Sequence, residues 1–267
     1  MSSQNHFLDL GTHFPDEPSS TVDSCVVHDS NGTGGDASGI YVRKSANANL
    51  TRNVIYNINA GNTPWSPVGT GVEAQYASNL KVFNNTIDGC YLGVFFYGGG
   101  GKGSGPYGHI TTENNIVANC TGWGFVNPWS TDTSLFTCGY NLIFNDVVTY
   151  GNFPAGNNGP FPSDVTTDPL FVNAPGGDFH LQAGSPAIEK GIDVGLPYPG
   201  RAPSLGAFEP LLLKITSNGT SCTISWVGTA ILQSAPAVTG TWSDMTGVTS
   251  PYSLSAVGSQ KYFRLKQ

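Results

Sequence analysis

Five segments of this 267-residue chain carry one short pattern at a nearly constant interval. They are STVDSCVVHD, NLTRNVIYNI, KVFNNTIDGC, TTENNIVANC and TCGYNLIFND. Each sets a small or polar residue before two apolar or β-branched residues, then a polar turn. Four place Asn at one position (Asn53, Asn85, Asn115 and Asn141), and Cys25 takes that position in the first. The spacings are 28, 32, 30 and 26 residues, the length of a solenoid repeat.

A repeat of this length predicts a right-handed parallel β-helix of about five coils, each supplying three short strands. Equivalent positions then stack about 4.8 Å apart along the axis. Turn Asn side chains stacked in that way hydrogen-bond from coil to coil as a ladder. Cys90 and Cys120 each lie five residues beyond a ladder Asn, so they should stack as core thiols. A disulfide or a reactive thiol is the other reading of that pair.

Composition agrees with an all-β chain. There are 35 Gly and 18 Pro, and only 11% of residues are charged, which excludes a long helical bundle or coiled coil. Hydrophobic residues make up 39%, including 14 Phe, 11 Tyr and 5 Trp, which excludes charged-type disorder. A net charge of −7 with 11 Lys plus Arg argues against nucleic acid as a partner. It also argues mildly against a strongly anionic substrate unless Ca²⁺ bridges. No apolar run is long enough to cross a membrane, and the start MSSQNHFLDL is no signal peptide. Five Cys with no C-x-x-C argue against a disulfide scaffold or zinc ribbon.

Of 22 Asn, 21 lie at or before Asn173. Residues 1–210 carry a net −10, and residues 211–267 a net +3. The shift predicts a boundary near Pro210. It separates a β-helix over 21–210, preceded by a partial coil or cap over 1–20, from a small β-sandwich-like domain over 211–267.

A second strand follows the ladder in each coil: SGIYVRK, GVEAQYA, GVFFYGG and GFVNPWS. With Ile40, Val72, Val94 and Phe125 facing inward, alternation leaves two outward rows. One is Tyr41, Glu73, Phe95, Val126, and the other is Arg43, Gln75, Tyr97, Pro128. Long Gly/Pro loops follow, carrying Trp65, Lys102, Tyr107 and Trp129. Loops of that length suggest more than connection.

The stretch DPLFVNAPGGDFHLQAGSPAIEKGIDVGLPYPGRAPSLGAFE, Asp168 to Glu209, adds a resemblance. Its D-P-x-F, F-H-L-x-x-x-S-P-A-I-x-x-G, G-R and L-G-A-F-E elements resemble the closing segment of secreted bacterial β-helix proteins of the pectate-lyase-like superfamily. The tail ending KYFRLKQ is similar to the small β module appended to many large secreted bacterial proteins. The resemblance implies a secreted or cell-surface protein with polysaccharide lyase or glycoside hydrolase activity. Pro199 stands where many relatives carry an acid before G-R. The paired-aspartate motifs N-T-D, D-D and G-H-G are absent, as are W-x-D-H and R-x-P-x-x-R. The resemblance therefore carries no catalytic residue onto this chain.

Read from the residues, a groove over the outward rows suits a polysaccharide or oligosaccharide. Sugar rings need aromatic faces and a few converging polar groups. Tyr41, Phe95, Tyr97, Trp65, Tyr107 and Trp129 are the aromatic candidates, with Gln75 among the polar ones. A lyase must neutralise a uronate carboxylate and remove the adjacent proton, work for Arg43, Lys44 or Lys102. Arg43 and Glu73 can equally form a surface ion pair of small worth. A hydrolase needs two carboxylates, and Glu73 with Asp36 is the pair to test. Asp36, Asp29 and Glu73 are the candidate Ca²⁺ ligands, without a calcium-loop spacing behind them. His109 and His28 are candidate bases or hydrogen-bonded turn histidines, whereas His180, Asp168 and Glu209 read as anchors of the closing motif. The competing reading is a non-catalytic carbohydrate-binding or surface module, a piece of a longer β-helix protein. The chain is expected to act as a monomer.

Overall fold

The structure is a computed structural model. It describes residues 5–10, 19–32, 37–43, 47–60, 68–97, 109–127, 136–151, 159–226, 230–256, 258 and 260–266. Two compact units divide the chain, one comprising 1–196 with 202–209, the other 197–201 with 210–267.

The first unit begins with β1 (Asn5–Leu10) and then repeats a three-strand coil five times. The first coil holds β2 (Thr21–Asp23), β3 (Val26–Gly32) and β4 (Ala37–Arg43), and the second β5 (Asn49–Thr51), β6 (Val54–Ala60) and β7 (Val68–Gln75). The third holds β8 (Leu80–Phe83), β9 (Thr86–Asp88) and β10 (Leu92–Tyr97), and the fourth β11 (Ile110–Glu113), β12 (Ile116–Ala118) and β13 (Trp123–Val126). The fifth holds β14 (Phe136–Gly139), β15 (Leu142–Phe144) and β16 (Val148–Gly151). Corresponding strands pair in parallel into three sheets. Sheet A is β1-β4-β7-β10-β13-β16, sheet B is β2-β5-β8-β11-β14, and sheet C is β3-β6-β9-β12-β15. This is a parallel β-helix, as the repeat predicts.

The Asn ladder joins sheets B and C. The backbone N–H of Cys25 donates to Asn53 Oδ1, that of Asn53 to Asn85, that of Asn85 to Asn115 and that of Asn115 to Asn141, all at 2.9–3.0 Å. The Nδ2 of Asn53, Asn85 and Asn115 bonds the next Asn Oδ1, and these amides also donate to a carbonyl of the preceding coil. The last rung is Asp164, whose Oδ1 accepts from Asn141 N at 2.9 Å. Its other oxygen accepts from Phe161 N and Tyr150 OH. The residue before each ladder position is left-handed: Ser24, Arg52, Asn84, Asn114 and Tyr140, with φ of 53–61°. That conformation turns the chain from sheet B into sheet C.

Inside, Leu50, Val82, Ile55, Ile87, Val117, Val72, Val94, Phe96 and Phe125 fill the coil. A glycine column, Gly39, Gly71, Gly93 and Gly124, lets sheet A close against sheet C. A Cβ on Gly71 would stand 2.6 Å from Ile87 Cγ2, and one on Gly93 2.4 Å from Val117 Cγ1. Cys90 and Cys120 stack in this core as free, buried thiols. Burial pushes the Cys90 thiol up to about 12 and Cys120 well above its ordinary value. Neither is a reactive thiolate.

The closing motif, which contains the antiparallel pair β17 (Phe171–Asn173) and β18 (Asp178–Leu181), covers the outer face of sheet C. Ala187 and Leu205 pack with Ile116, Ala118 and Leu142 in one buried cluster. Asn114 Nδ2 donates to Ile192 O at 2.8 Å, while Ile192 N donates to Asn114 Oδ1 at 2.9 Å. Asn84 Nδ2 donates to Ser204 O, and Ala207 N donates to Thr86 Oγ1. Ser185 Oγ donates to Pro169 O at 2.6 Å, and Ser204 N is held by the Glu209 carboxylate. The motif's polar residues therefore clamp the segment to itself and to the coils.

In the second unit, β19 (Lys214–Ser217), β20 (Ser221–Ser225) and β23 (Tyr252–Ser255) form one antiparallel sheet. β21 (Ile231–Ala235), β22 (Ser243–Asp244) and β24 (Tyr262–Lys266) form another. Ile224, Trp226 and Leu232 are its buried centre.

Candidate functional site

Sheet A carries the face on which the sequence places its chemistry. The register sets Ile40, Val72, Val94 and Phe125 side by side, with Tyr41, Glu73, Phe95 and Val126 as their outward neighbours. Arg43 and Gln75 belong to the second outward row, and Tyr97 pairs with Gln75 in backbone register. The positions just before the glycine column form a further row in the register. This row is Ser38, Thr70, Leu92 and Trp123.

The face is divided by strand. β4 and β7 supply polar groups. Ser38 Oγ donates to Glu73 Oε2 at 2.5 Å, and Tyr41 OH donates to Gln75 Oε1 at 2.6 Å. Thr70 Oγ1 lies between them in sequence register, fully buried and without a hydrogen-bond partner. β10 and β13 supply apolar ones: Leu92, Phe95 and Val126 form a buried cluster flanked by Tyr91.

The expectation of an open groove is corrected here. Tyr41 is 4% exposed, Glu73 6% and Phe95 7%. Alternation told which side of the sheet they occupy, but not whether that side is covered. Arg43 is exposed and Gln75 half-buried at the ends of their strands. Trp123, which the sequence reading passed over, is a large aromatic that this face presents among the described residues, at 37% exposure. Its indole occupies the space a side chain on Gly151 would need, 2.9 Å from the missing Cβ. The signal was available as W-G-F-V, aligned with S-G-I-Y and L-G-V-F.

Other candidates fall elsewhere. Asp36, Lys44, Trp65, Lys102, Tyr107, Pro128 and Trp129 lie outside the described residues, as does the side chain of Tyr97. His109 is exposed beside β11 in sheet B, with Nε2 2.8 Å from Thr137 Oγ1, so it does not join Glu73 on sheet A. Asp29 lies on β3 of sheet C, bonded to His28 and Asn57. It and Glu73 stand on different sheets, so the proposed Ca²⁺ trio is not assembled. His28 stacks on Tyr56 at 4.8 Å, and His180 stacks on Phe208 while bonding Asp178. Asp168 caps its own turn through Leu170 N. Among the described residues no group of three or more His, Cys, Asp or Glu is placed to hold a metal ion.

Two buried carboxyls flank the coil interior. Burial raises Asp88 on the outer face of sheet C, against the Asn119 amide that donates to it. Burial also raises Asp146 to about 7, opposed by Cys120 N–H and reinforced by the Asp88 charge. Asp146 Oδ1 accepts from Cys120 N, and its Oδ2 is buried without a partner beneath Gly124.

The model of the right-handed β-helix region matches residues 4–158, more than half of the chain. The chain belongs to the right-handed β-helix family. No curated protein and no solved structure matches this β-helix protein.

Proposed function

We propose that this β-helix protein is a carbohydrate-active enzyme that takes its glycan across the outer face of sheet A, with Glu73 as a catalytic carboxyl group. The observation that carries this reading is the division of one face into a polar half and an apolar half with a carboxylate at the seam. Ser38, Tyr41, Thr70 and Gln75 match the hydroxyls of a sugar, and Leu92, Phe95 and Trp123 match its C–H face. Ser38 holds the Glu73 carboxylate in one orientation, which positions it for proton transfer. Because Glu73 is almost wholly buried, the sugar must part the atoms that cover it, and the reaction then proceeds away from bulk water. The closing-motif resemblance and the appended β unit support a role outside the cell or on its surface.

A second reading, a binding module without catalysis, draws on one observation. The polar groups of the face already bond one another in pairs, Ser38 with Glu73 and Tyr41 with Gln75. A glycan panel with and without Ca²⁺ decides between them, read by absorbance of an unsaturated product and by new reducing ends. New ends that disappear in Glu73→Gln support the enzyme. Binding without cleavage selects the module, and absence of both rejects the glycan.

A further inference from the structure

We infer that the outer face of the β22-β21-β24 sheet is a binding site for an acidic saccharide, with Arg264 taking the sugar carboxylate. The site lies wholly in the second unit, so the inference goes beyond the reading of sheet A and does not depend on it.

Sidedness comes first. Leu232 of β21 is buried in the centre of this unit, and Phe263 and Leu265 of β24 pack against that centre, as does Met245 just after β22. Alternation therefore sends Gln233, Asp244, Arg264 and Lys266 to the opposite face. The register sets three of them in one row, with Gln233 opposite Asp244 on one side and opposite Arg264 on the other. Tyr262 stands two residues before Arg264 on the same face, opposite Ala235.

The row is held ready by its own bonds. Gln233 is 5% exposed, and both ends of its amide are engaged. Its Nε2 donates to Asp244 Oδ1, and its Oε1 accepts from Arg264 Nε at 2.6 Å. The other Asp244 oxygen accepts from Lys266 Nζ at 3.4 Å. The Arg264 guanidinium lies over the Trp242 ring, 4.5 Å from its centroid, which fixes its plane. Among the described residues the guanidinium is bonded through Nε alone. Its two Nη groups form an edge that can donate to a carboxylate as a fork.

Charge and bonding type select the ligand. The chain's overall −7 hides a local excess of the opposite sign, since residues 211–267 carry a net +3. Three of their four cations are Lys261, Arg264 and Lys266, and Asp244 is their one acid. An anion is drawn to that strand. Asp244 can only accept, so it repels a phosphate at this row but suits a hydroxyl. A uronic acid meets both demands, with its carboxylate on Arg264 and its hydroxyls on Asp244. The half-buried rings of Trp242 and Tyr262 border the row and offer apolar surface to its C–H groups.

The test uses the full chain in titration calorimetry against oligomers of galacturonate, mannuronate and hyaluronan, each beside its methyl ester. An acidic oligomer should bind, and its ester should bind about tenfold or more weakly. Arg264→Gln and Trp242→Ala should each weaken the acidic oligomer by about tenfold and leave the ester nearly unchanged. Equal affinity for acid and ester overturns the inference. So does full affinity in Arg264→Gln, or a wild-type protein that binds none of the acidic oligomers. Each of these leaves the sheet A reading standing, because cleavage decides that. The ester comparison needs no variant, so a folding defect in Arg264→Gln cannot shield the inference.

Discussion

The outer faces of sheets A and C are built on the same coils and are buried by different means. Sheet C presents Thr86, Ile116 and Leu142, and the closing segment lies over them through bonds that can be named one by one. Sheet A presents Ser38, Thr70, Glu73 and Leu92, and there a buried hydroxyl goes without a partner. Completed hydrogen bonding marks a face that serves stability. On the other face the Thr70 hydroxyl is buried with no hydrogen-bond partner, a cost that the bonds of sheet C avoid.

The largest expected effect separates the faces by function. Glu73→Gln should cut turnover by about 10²–10⁴-fold, the usual worth of a positioned proton-transfer group. Its urea midpoint should barely move, because a glutamine oxygen still accepts from Ser38. A large stability loss with activity kept would make Glu73 structural and erase the contrast.

Next comes the carboxyl beneath sheet A. Asp146 holds its proton to about 7, well above the ordinary 3.8, chiefly because it is buried. Below both values folded and unfolded chains are protonated and nothing is lost. As pH rises between them, only the unfolded chain ionises, so stability falls, by about 4 kcal/mol at most. Asp146→Asn should flatten that slope in denaturant titrations from pH 4 to 8. An unchanged slope would place the titration elsewhere.

On sheet C, Asn114→Gly keeps the left-handed backbone accessible and removes the clamp on Ile192. Two backbone groups lose their partner, so a cost of about 2–4 kcal/mol is expected by urea unfolding, with glycan turnover intact. The smallest effect has the opposite sign. Thr70→Val replaces an unpartnered buried hydroxyl by a methyl and should stabilise by about 1 kcal/mol. If Thr70 serves the glycan, affinity should fall as stability rises.

The ladder was legible because one buried hydrogen-bonding task, repeated on every coil, admits one residue type and so leaves the same letter at Asn53, Asn85, Asn115 and Asn141. The inward row of sheet A was legible for a similar reason, since Ile40, Val72, Val94 and Phe125 fill one cavity. The turn before the ladder left no such trace. Ser24, Arg52, Asn84, Asn114 and Tyr140 share a backbone angle and no side-chain chemistry. Burial of Tyr41 and Phe95 was illegible because alternation reports sidedness alone. His109 was drawn toward the site by its place at the opening of a coil, although that point of the coil belongs to sheet B.

The asymmetry of the ladder has a consequence for how such a chain can grow. An asparagine both gives and receives, so every interior rung is a socket at one side and a plug at the other. A unit running from one ladder Asn to the residue before the next is in principle a removable or duplicable cassette. Asp164 only receives, and its second oxygen is already committed to Phe161 and Tyr150. It acts as a stop symbol, and cassettes can be added upstream of it but not beyond.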